Sequence, residues 1–156
     1  MIYLKNAFLY LITFILIYIE VRGNSFLSAN EYFELLPFFI YLYYLATFNF
    51  SRTSVSVLML NGFYFDLFFS DNYLGYTSIK ILFICIIVHF IYTKVGSGII
   101  ANFSLFYLSV FLYKFESYVN NFDISIAYLL LICLPNYLLF KALTSNLRSD
   151  VFSAKI

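Results

Sequence analysis

Few residues of this chain could carry chemistry, and the most unusual of them is Asp66, which lies in the aromatic segment 61–75, NGFYFDLFFSDNYLG. This segment is apolar enough to lie within a membrane, where an ionised carboxylate at the centre costs about 2.5–3.5 kcal/mol unless it has a polar partner. Counting away from the turn near Ser70–Tyr73 places Lys80 at a similar depth. Asp66 and Lys80 are therefore candidates for a cross-helix ion pair, with Asn61 one turn deeper.

Two interpretations of this group remain open. In the first, the ion pair and Asn61 organise a polar pocket or a partner-binding surface. In the second, Lys80 extends its ammonium group to the outer headgroups while Asp66 caps a helix or hydrogen-bonds locally. Gly62 lies four positions before Asp66 on the same helical face, so we expect a neighbouring backbone to approach there. Gly75 either makes a sharp turn into the fourth helix or is an ordinary loop glycine.

The other reactive side chains do not predict an enzyme or a cofactor site. His89 is the only histidine, which excludes a histidine metal cluster, and we expect it to pack between helices. Cys85 and Cys133 fall in the middle of apolar segments, where independent core residues are expected rather than a redox pair. An intramembrane aspartyl protease needs two facing carboxylates, and only Asp66 is predicted to be embedded. The sequence 96–98, Gly-Ser-Gly, is expected to be a turn.

The composition of the whole chain indicates an integral membrane protein. Of its 156 residues, 63% are hydrophobic and 11% are charged, and the mean hydropathy is +0.90. This leaves too little polar surface for a soluble domain of that length. The chain has 16 Tyr, 21 Phe and no Trp, so tyrosine is expected to take the interfacial positions. The net charge of +1 argues against a nucleic-acid partner.

Apolar stretches separated by short polar breaks predict a single transmembrane domain, residues 1–156, built as a compact bundle of about six helices. Several stretches are shorter than the ~20 residues of an upright span. Either flanking Lys and Tyr extend them, or the third and fifth are partly re-entrant or locally thin the bilayer. Five spans are the alternative. The expected spans are 7–19, 35–50, 55–69, 73–92, 99–113 and 124–143.

The distribution of charge predicts the orientation of these spans, because Lys and Arg concentrate on cytoplasmic loops. A cytoplasmic N-terminus leaves Arg22 and Lys114 near the outer face, together with most of the acids, including Glu20 and Glu116. Both termini are then cytoplasmic. The residues placed inside are Lys5, Arg52, Lys94, Lys141, Arg148 and Lys155.

Each of the two prolines marks a special position in a predicted helix. Pro37 stands at the outer entrance to the second helix, beside Glu31 and Glu34, which either meet a periplasmic segment of a partner or are solvated loop acids. Pro135, followed by Asn136, predicts a kink in the sixth helix. That kink either shapes a groove in the cytoplasmic half of the bundle or only improves helix packing.

The segment Leu42–Lys80 resembles the core of the bacterial rod shape-determining protein MreD family. Members have an aromatic second helix, a short basic turn, an aspartate four residues after a glycine in the third helix, and Leu-Gly opening the fourth helix. Here these features are Tyr43 and Tyr44, Arg52, Gly62 with Asp66, and Leu74 with Gly75.

This sequence departs from the family pattern at two places. The family often has a proline just before the basic residue of the turn, whereas Ser51 precedes Arg52 here. Pro37 is followed by Phe38 instead of the usual polar residue. The length, the number of predicted spans and the late Pro135 with a basic tail agree with the family.

The resemblance implies an all-α integral membrane protein of the bacterial inner membrane, similar in fold to the S components of energy-coupling-factor transporters. It implies a non-enzymatic scaffold of the cell-elongation complex. Such a scaffold binds the transmembrane helix of MreC and helps connect MreB filaments to RodA and its partner transpeptidase in peptidoglycan synthesis and cell-shape control.

The kinship with S components also provides the rival hypothesis, a small-molecule-binding subunit of an energy-coupling-factor transporter. Its pocket would face outward near Asp66, Asn61, Tyr73 and Lys80. Such subunits commonly dock their transporter through an Ala-three-residues-Ala motif on the first helix. Ala7 is followed at that spacing by Leu11, which favours the scaffold.

Overall fold

The computed structural model describes residues 2–27, 34–70, 73–95, 98–116 and 126–153, and every regular element within these ranges is an α-helix. This confirms the predicted all-helical fold, because the helices of the described ranges coincide with the six predicted apolar stretches. They are α1 (Ile2–Leu27), α2 (Pro37–Phe48), α3 (Arg52–Phe68), α4 (Tyr76–Val95), α5 (Ile99–Tyr113) and α6 (Ile126–Ser153).

The helix boundaries differ from the predicted spans mainly in the first, second and sixth helices. α1 continues to Leu27 and α6 to Ser153, although their apolar stretches end well before. Polar residues such as Glu20 and Arg22, which were expected near or in an outer loop, are therefore helical. A polar side chain does not end a helix whose backbone hydrogen bonds are intact. α2 is shorter than predicted and begins at Pro37, whose fixed φ suits the first helical position.

Consecutive helices run in opposite directions. The contacts that show this join the end of one helix to the start of an antiparallel neighbour: Glu20 with Phe38, Asp66 with Thr77, and Glu116 with Lys80. α6 runs parallel to α2, because Leu36 contacts Asn136 and Tyr43 further along α2 contacts Phe140 further along α6. α1 therefore begins and α6 ends at the same end of the bundle.

The short helix α2 is the centre of the bundle. It contacts α1, α4, α5 and α6, and 8 of its 12 residues are buried. At 1.5 Å per residue its length is about 18 Å, well below the ~30 Å of a hydrocarbon core. Its first turn lies level with Glu20, about two turns before the end of α1, and with Asn136, almost three turns into α6. The N-terminus of α2 is thus enclosed by longer helices.

Aromatic rings fill the core between α2, α5 and α6. The ring of Phe106 from α5 meets the rings of Phe39 and Tyr43 edge to face, with centroids 5.4 and 5.0 Å apart. Tyr43 meets Phe140 of α6 in the same geometry at 5.0 Å. Edge-to-face contacts place the positive edge of one ring against the negative face of another. They fix the positions of α5 and α6 around α2.

Helices α3 and α4 come closest at Gly62. A Cβ atom on Gly62 would lie 2.7 Å from both the Cα and the Oγ of Ser78, and the Ser78 hydroxyl donates to the Met59 carbonyl at 2.7 Å. The prediction that a neighbouring backbone approaches Gly62 is confirmed, and the neighbour is α4 of the same chain. Gly75, at φ +92°, makes the sharp turn into α4.

The outer faces of the helices are apolar. Two segments in the described ranges, Tyr76–Val95 of α4 and Tyr128–Ser145 of α6, are long and apolar enough to cross a membrane. An apolar stripe follows the exposed side of α4 at helical spacing: Ile79, Phe83, Ile86 and Phe90. Large exposed apolar surfaces of this kind are typical of membrane or protein contact.

We expect Gly62→Ala to destabilise the bundle by about 1–3 kcal/mol, because the added methyl group must force the α4 backbone away from α3. Gly23→Ala is the matched control. Its Cβ would meet only the Ile19 Cγ2 atom of its own helix at 3.9 Å, so better helix propensity should leave stability unchanged or raise it by up to about 1 kcal/mol. Unfolding of both variants in mild detergent, followed by circular dichroism, tests this. Equal stability of the two variants would contradict the tight α3–α4 contact.

Candidate functional site

Asp66 caps the N-terminus of α4. Its carboxylate is buried, with 5% of the residue exposed, and accepts hydrogen bonds from the backbone N–H of Gly75 at 2.8 Å and of Thr77 at 3.1 Å. The Ser70 hydroxyl also donates to it, at 3.3 Å. The first N–H groups of a helix have no partner within the helix and lie at the positive end of its dipole, so a carboxylate satisfies them well.

The predicted ion pair between Asp66 and Lys80 is wrong. The Lys80 ammonium group bonds the Glu116 carboxylate at 2.8 Å and lies 5.8 Å from the ring centroid of Tyr113. Lys80 therefore joins α4 to the residues that follow α5. Asp66 instead caps a helix, as the second interpretation predicts. It can do so because the sharp turn at Gly75 brings the backbone N–H groups of α4 back to the end of α3.

A second buried carboxylate, Glu20, caps α2 in the same way. Its Oε2 atom accepts from the backbone N–H of Phe38 at 2.9 Å and of Phe39 at 3.2 Å, and its Oε1 atom accepts from the Tyr113 hydroxyl at 2.8 Å. This role was not predicted from the sequence, where Glu20 was expected near the outer face. The available signal was spacing, because Thr13, Ile17 and Glu20 recur at helical intervals on one face of α1, and all three are buried in the structure.

Two asparagines hold the chain just before α2. Asn24 of α1 makes two hydrogen bonds to the backbone of Leu35, at 2.8 and 2.9 Å. Asn136 of α6 accepts from the N–H of Leu36 at 2.9 Å and donates to the carbonyl of Glu34 at 2.9 Å. We call Glu20, Asn24 and Asn136 the α2 clamp.

With the α2 clamp in place, the backbone N–H groups at the start of α2 all have acceptors. The N–H groups of Leu35 and Leu36 bond the asparagines, those of Phe38 and Phe39 bond Glu20, and Ile40 bonds the Leu36 carbonyl at 2.9 Å. Pro37 has no N–H group. Because a buried, unpaired N–H costs about 1–3 kcal/mol, this complete pairing is what allows the end of α2 to lie inside the bundle.

Glu34 and Pro37 also belong to this end of α2. The Glu34 carboxylate pairs with the Lys114 ammonium group at 2.6 Å, so it is not simply a solvated loop acid. Its contact with a periplasmic segment of a partner stays a prediction. Pro37 lies in the first turn of α2, which confirms its predicted position at the start of that helix. Glu31 lies outside the described residues.

Asn61 and Arg52 do not join Asp66 in one site. The Asn61 amide donates to the Thr13 hydroxyl of α1 and to the Val57 carbonyl at 2.8 Å, so it connects α3 to α1. Arg52 is exposed at the start of α3, where Ser51 caps the helix by accepting from the Ser54 N–H at 3.2 Å. Asp66, Asn61 and Lys80, which the rival hypothesis places around one pocket, therefore make separate contacts within the bundle.

The remaining reactive side chains are structural. His89 Nδ1 donates to the Ala46 carbonyl at 3.1 Å, and its ring stacks on Phe50 with centroids 4.2 Å apart, which confirms its predicted packing role. Cys85 and Cys133 are buried free thiols, as expected. Within the described ranges, no three His, Cys, Asp or Glu side chains gather as metal ligands would. Residues 96 and 97 of the predicted Gly-Ser-Gly turn lie outside those ranges.

A cavity of about 440 Å³ lies at the opposite end of α2, between α4, α5 and the part of α6 that follows Pro135. This is where one interpretation of Pro135 placed a groove, although Pro135 itself does not line it. The lining is mainly aromatic and hydroxylated, and includes Tyr43, Tyr92 and Tyr137. Comparison of the chain with protein-family models, curated proteins and solved structures gave no match.

We expect Glu20→Leu and Asp66→Leu each to destabilise the bundle by about 1–3 kcal/mol for every backbone N–H left without an acceptor. Glu20→Gln and Asp66→Asn should cost less, because each amide keeps one acceptor oxygen. The control is Glu116→Gln, which weakens a partly exposed ion pair worth about 0–1 kcal/mol. Unfolding in detergent ranks the variants. A Leu variant no less stable than Glu116→Gln would contradict the capping role.

Proposed function

We propose that this chain is a six-span, non-enzymatic scaffold of the bacterial inner membrane that binds MreC in the cell-elongation complex. The membrane part of the proposal is supported by the alternating helix directions and by the apolar outer faces. α4 and α6 each contain a segment long enough to span. The fold we propose is that of the S-component-like bundles to which the MreD family is similar.

The short helices are compatible with this membrane placement. α2 is surrounded by longer helices, so its ends need not reach the lipid headgroups. α3 and α5 have 17 and 15 residues and are about 25 and 22 Å long at 1.5 Å per residue. A bilayer can thin locally around such helices at modest cost. Six spans therefore remain the simplest topology for this bundle.

The distribution of exposed cations supports cytoplasmic termini. Arg52, Lys94 and Lys141 are exposed at the end of the bundle where α1 begins and α6 ends. Glu20, Asp66 and the two ion pairs lie at the other end. Because loops rich in Lys and Arg stay in the cytoplasm, the first end is assigned to the cytoplasm.

The observation that carries the scaffold role is that three residues of the MreD resemblance, Gly62, Asp66 and Gly75, form one interlocked unit. Gly62 admits the α4 backbone, Asp66 caps α4, and Gly75 makes the turn between these two contacts. The signature residues thus rigidify the α3–α4 hairpin, and the carboxylates are occupied by backbone donors. A rigid hairpin with apolar outer faces is suited to lateral packing with a partner's transmembrane helix.

Gly62 is not the contact for that partner helix, which corrects one part of the sequence-based mechanism. Its face is covered by Ser78 of α4. The MreC helix would instead pack on exposed apolar side chains of the outer helices, where Phe83 of α4 and Tyr64 of α3 are examples. MreB, RodA and the transpeptidase would be connected through the assembled complex.

Single cysteines at the two ends of the bundle test the topology. We expect a membrane-impermeant maleimide to label Phe26→Cys in spheroplasts, because Phe26 is 90% exposed near the predicted outer end of α1. Ser145→Cys, at the other end, should be labelled only after permeabilisation. The native thiols, Cys85 and Cys133, are buried and give little background. Labelling of both positions without permeabilisation, or of neither, would contradict the orientation.

Photo-crosslinking tests the partner. We expect a photoreactive residue at some of the exposed positions on the outer helices, but not at the buried control Val88, to capture MreC in native membranes. The reactive positions should form one contiguous face. Mild-detergent purification with mass spectrometry provides the independent readout. Recovery of a transporter module with its ATPases in place of MreC would overturn the scaffold role. The positions are Leu11, Tyr64, Phe83, Leu108 and Leu138.

A further inference from the structure

The 440 Å³ cavity exists because α2 is short. α2 ends at Phe48, while α4 continues to Val95 and α6 to Ser153 around the space beyond it. At the other end of α2 the equivalent space is filled by the α2 clamp. The cavity has the size of sites that hold small organic ligands, which are about 300–1,000 Å³. It opens at the end of the bundle assigned to the cytoplasm.

Several hydrogen-bond donors around this cavity have no partner within the described part of the chain. The side chains of Tyr92, Asn102, Tyr137 and Lys141 line it, and none of them makes a hydrogen bond or ion pair with another residue of the described ranges. α5 also begins here, at Ile99, with no side chain capping its first N–H groups. The cavity therefore presents one full positive charge and several neutral donors.

The acceptors at the same end are mostly occupied. At the C-terminal end of α2, the carbonyl of Ala46 bonds His89, that of Leu45 bonds the Asn49 N–H, and that of Tyr43 bonds the Thr47 hydroxyl. Among the described residues, no Asp or Glu lines the cavity. A site with free donors, a lysine and no carboxylate favours an anionic group over a cation.

The rest of the lining is apolar and aromatic, including Phe48 and Phe140. Phe48 is 41% exposed, and α6 carries exposed Leu138 and Leu139 nearby. Apolar surface next to an anion-binding group is suited to a molecule that combines a charged head with hydrocarbon chains. A small soluble anion would leave the aromatic walls unused.

We propose that this cavity binds the headgroup of an anionic phospholipid from the cytoplasmic leaflet, with Lys141 and the Asn102 and Tyr137 donors at its phosphate and its acyl chains along the exposed apolar helix faces. This lipid site rests on the membrane placement and the orientation proposed above. It is independent of any role in cell elongation.

The absence of tryptophan from the chain provides a direct assay. Tyr92→Trp places one fluorophore in the cavity, and Phe83→Trp places one on the lipid-facing side of the same helix as a matched control. Both are reconstituted in phosphatidylcholine vesicles that contain increasing fractions of dibrominated phosphatidylglycerol. We expect about fivefold preferential quenching at position 92, the effect of one lysine on an anionic lipid, and no preference at position 83.

Charge variants in the Tyr92→Trp background identify the lysine responsible. Lys141→Gln should abolish the preference, whereas Lys94→Gln, which removes a charge at the same end outside the cavity, should preserve it. If Tyr92→Trp does not fold, Phe48→Trp replaces it as the cavity reporter. Inorganic phosphate at constant ionic strength should not relieve the quenching.

Three results would overturn the lipid site. The first is equal quenching by brominated phosphatidylcholine and phosphatidylglycerol at the cavity reporter. The second is full preference retained in Lys141→Gln. The third is relief of quenching by inorganic phosphate, which would assign the site to a free anion.

Discussion

The bundle depends on pairing the backbone N–H groups of a helix end that lies inside it. A helix as short as α2 cannot present both ends to water while its side chains form the centre of the core. Its first turn is surrounded by α1 and α6, where unpaired donors are costly. Glu20, Asn24 and Asn136 supply the missing acceptors, and in doing so fix the position of α2 along the bundle axis relative to α1 and α6. The aromatic contacts between α2, α5 and α6 depend on that position.

Asp66 repeats the same device between α3 and α4. Both capping carboxylates lie in the C-terminal part of one helix, beside the start of the next, and both face two backbone N–H groups. Although the chain has few charged residues, these two acids accept hydrogen bonds from backbone N–H groups at helix N-termini. The lysines follow a related pattern, because Lys80 and Lys114 bond Glu116 and Glu34 in ion pairs at the same end. This end of the bundle is thus polar inside and apolar outside.

The sequence predicted the helices and the local backbone features, but not the polar contacts between helices. Hydropathy located the six helices of the described residues. Gly62 had its predicted role and Gly75 the first of its two, the sharp turn, because close approach and positive φ are local demands. The partners of Lys80 and Glu34 depend on which helices are neighbours, which periodicity does not specify. Glu20 was misplaced because the apolar stretch of α1 stops one residue before it, although the buried face of the helix continues through it.

The clamp on α2 has a consequence for the order of assembly. The N–H of Leu36 is bonded by Asn136, one hundred residues later in the chain. During synthesis, α2 is made long before α6 exists, so the centre of the fold is incomplete until α6 arrives. The nascent protein must therefore hold an unfinished helix end while α3, α4 and α5 are made. The core around α2 is therefore completed only when α6 is in place.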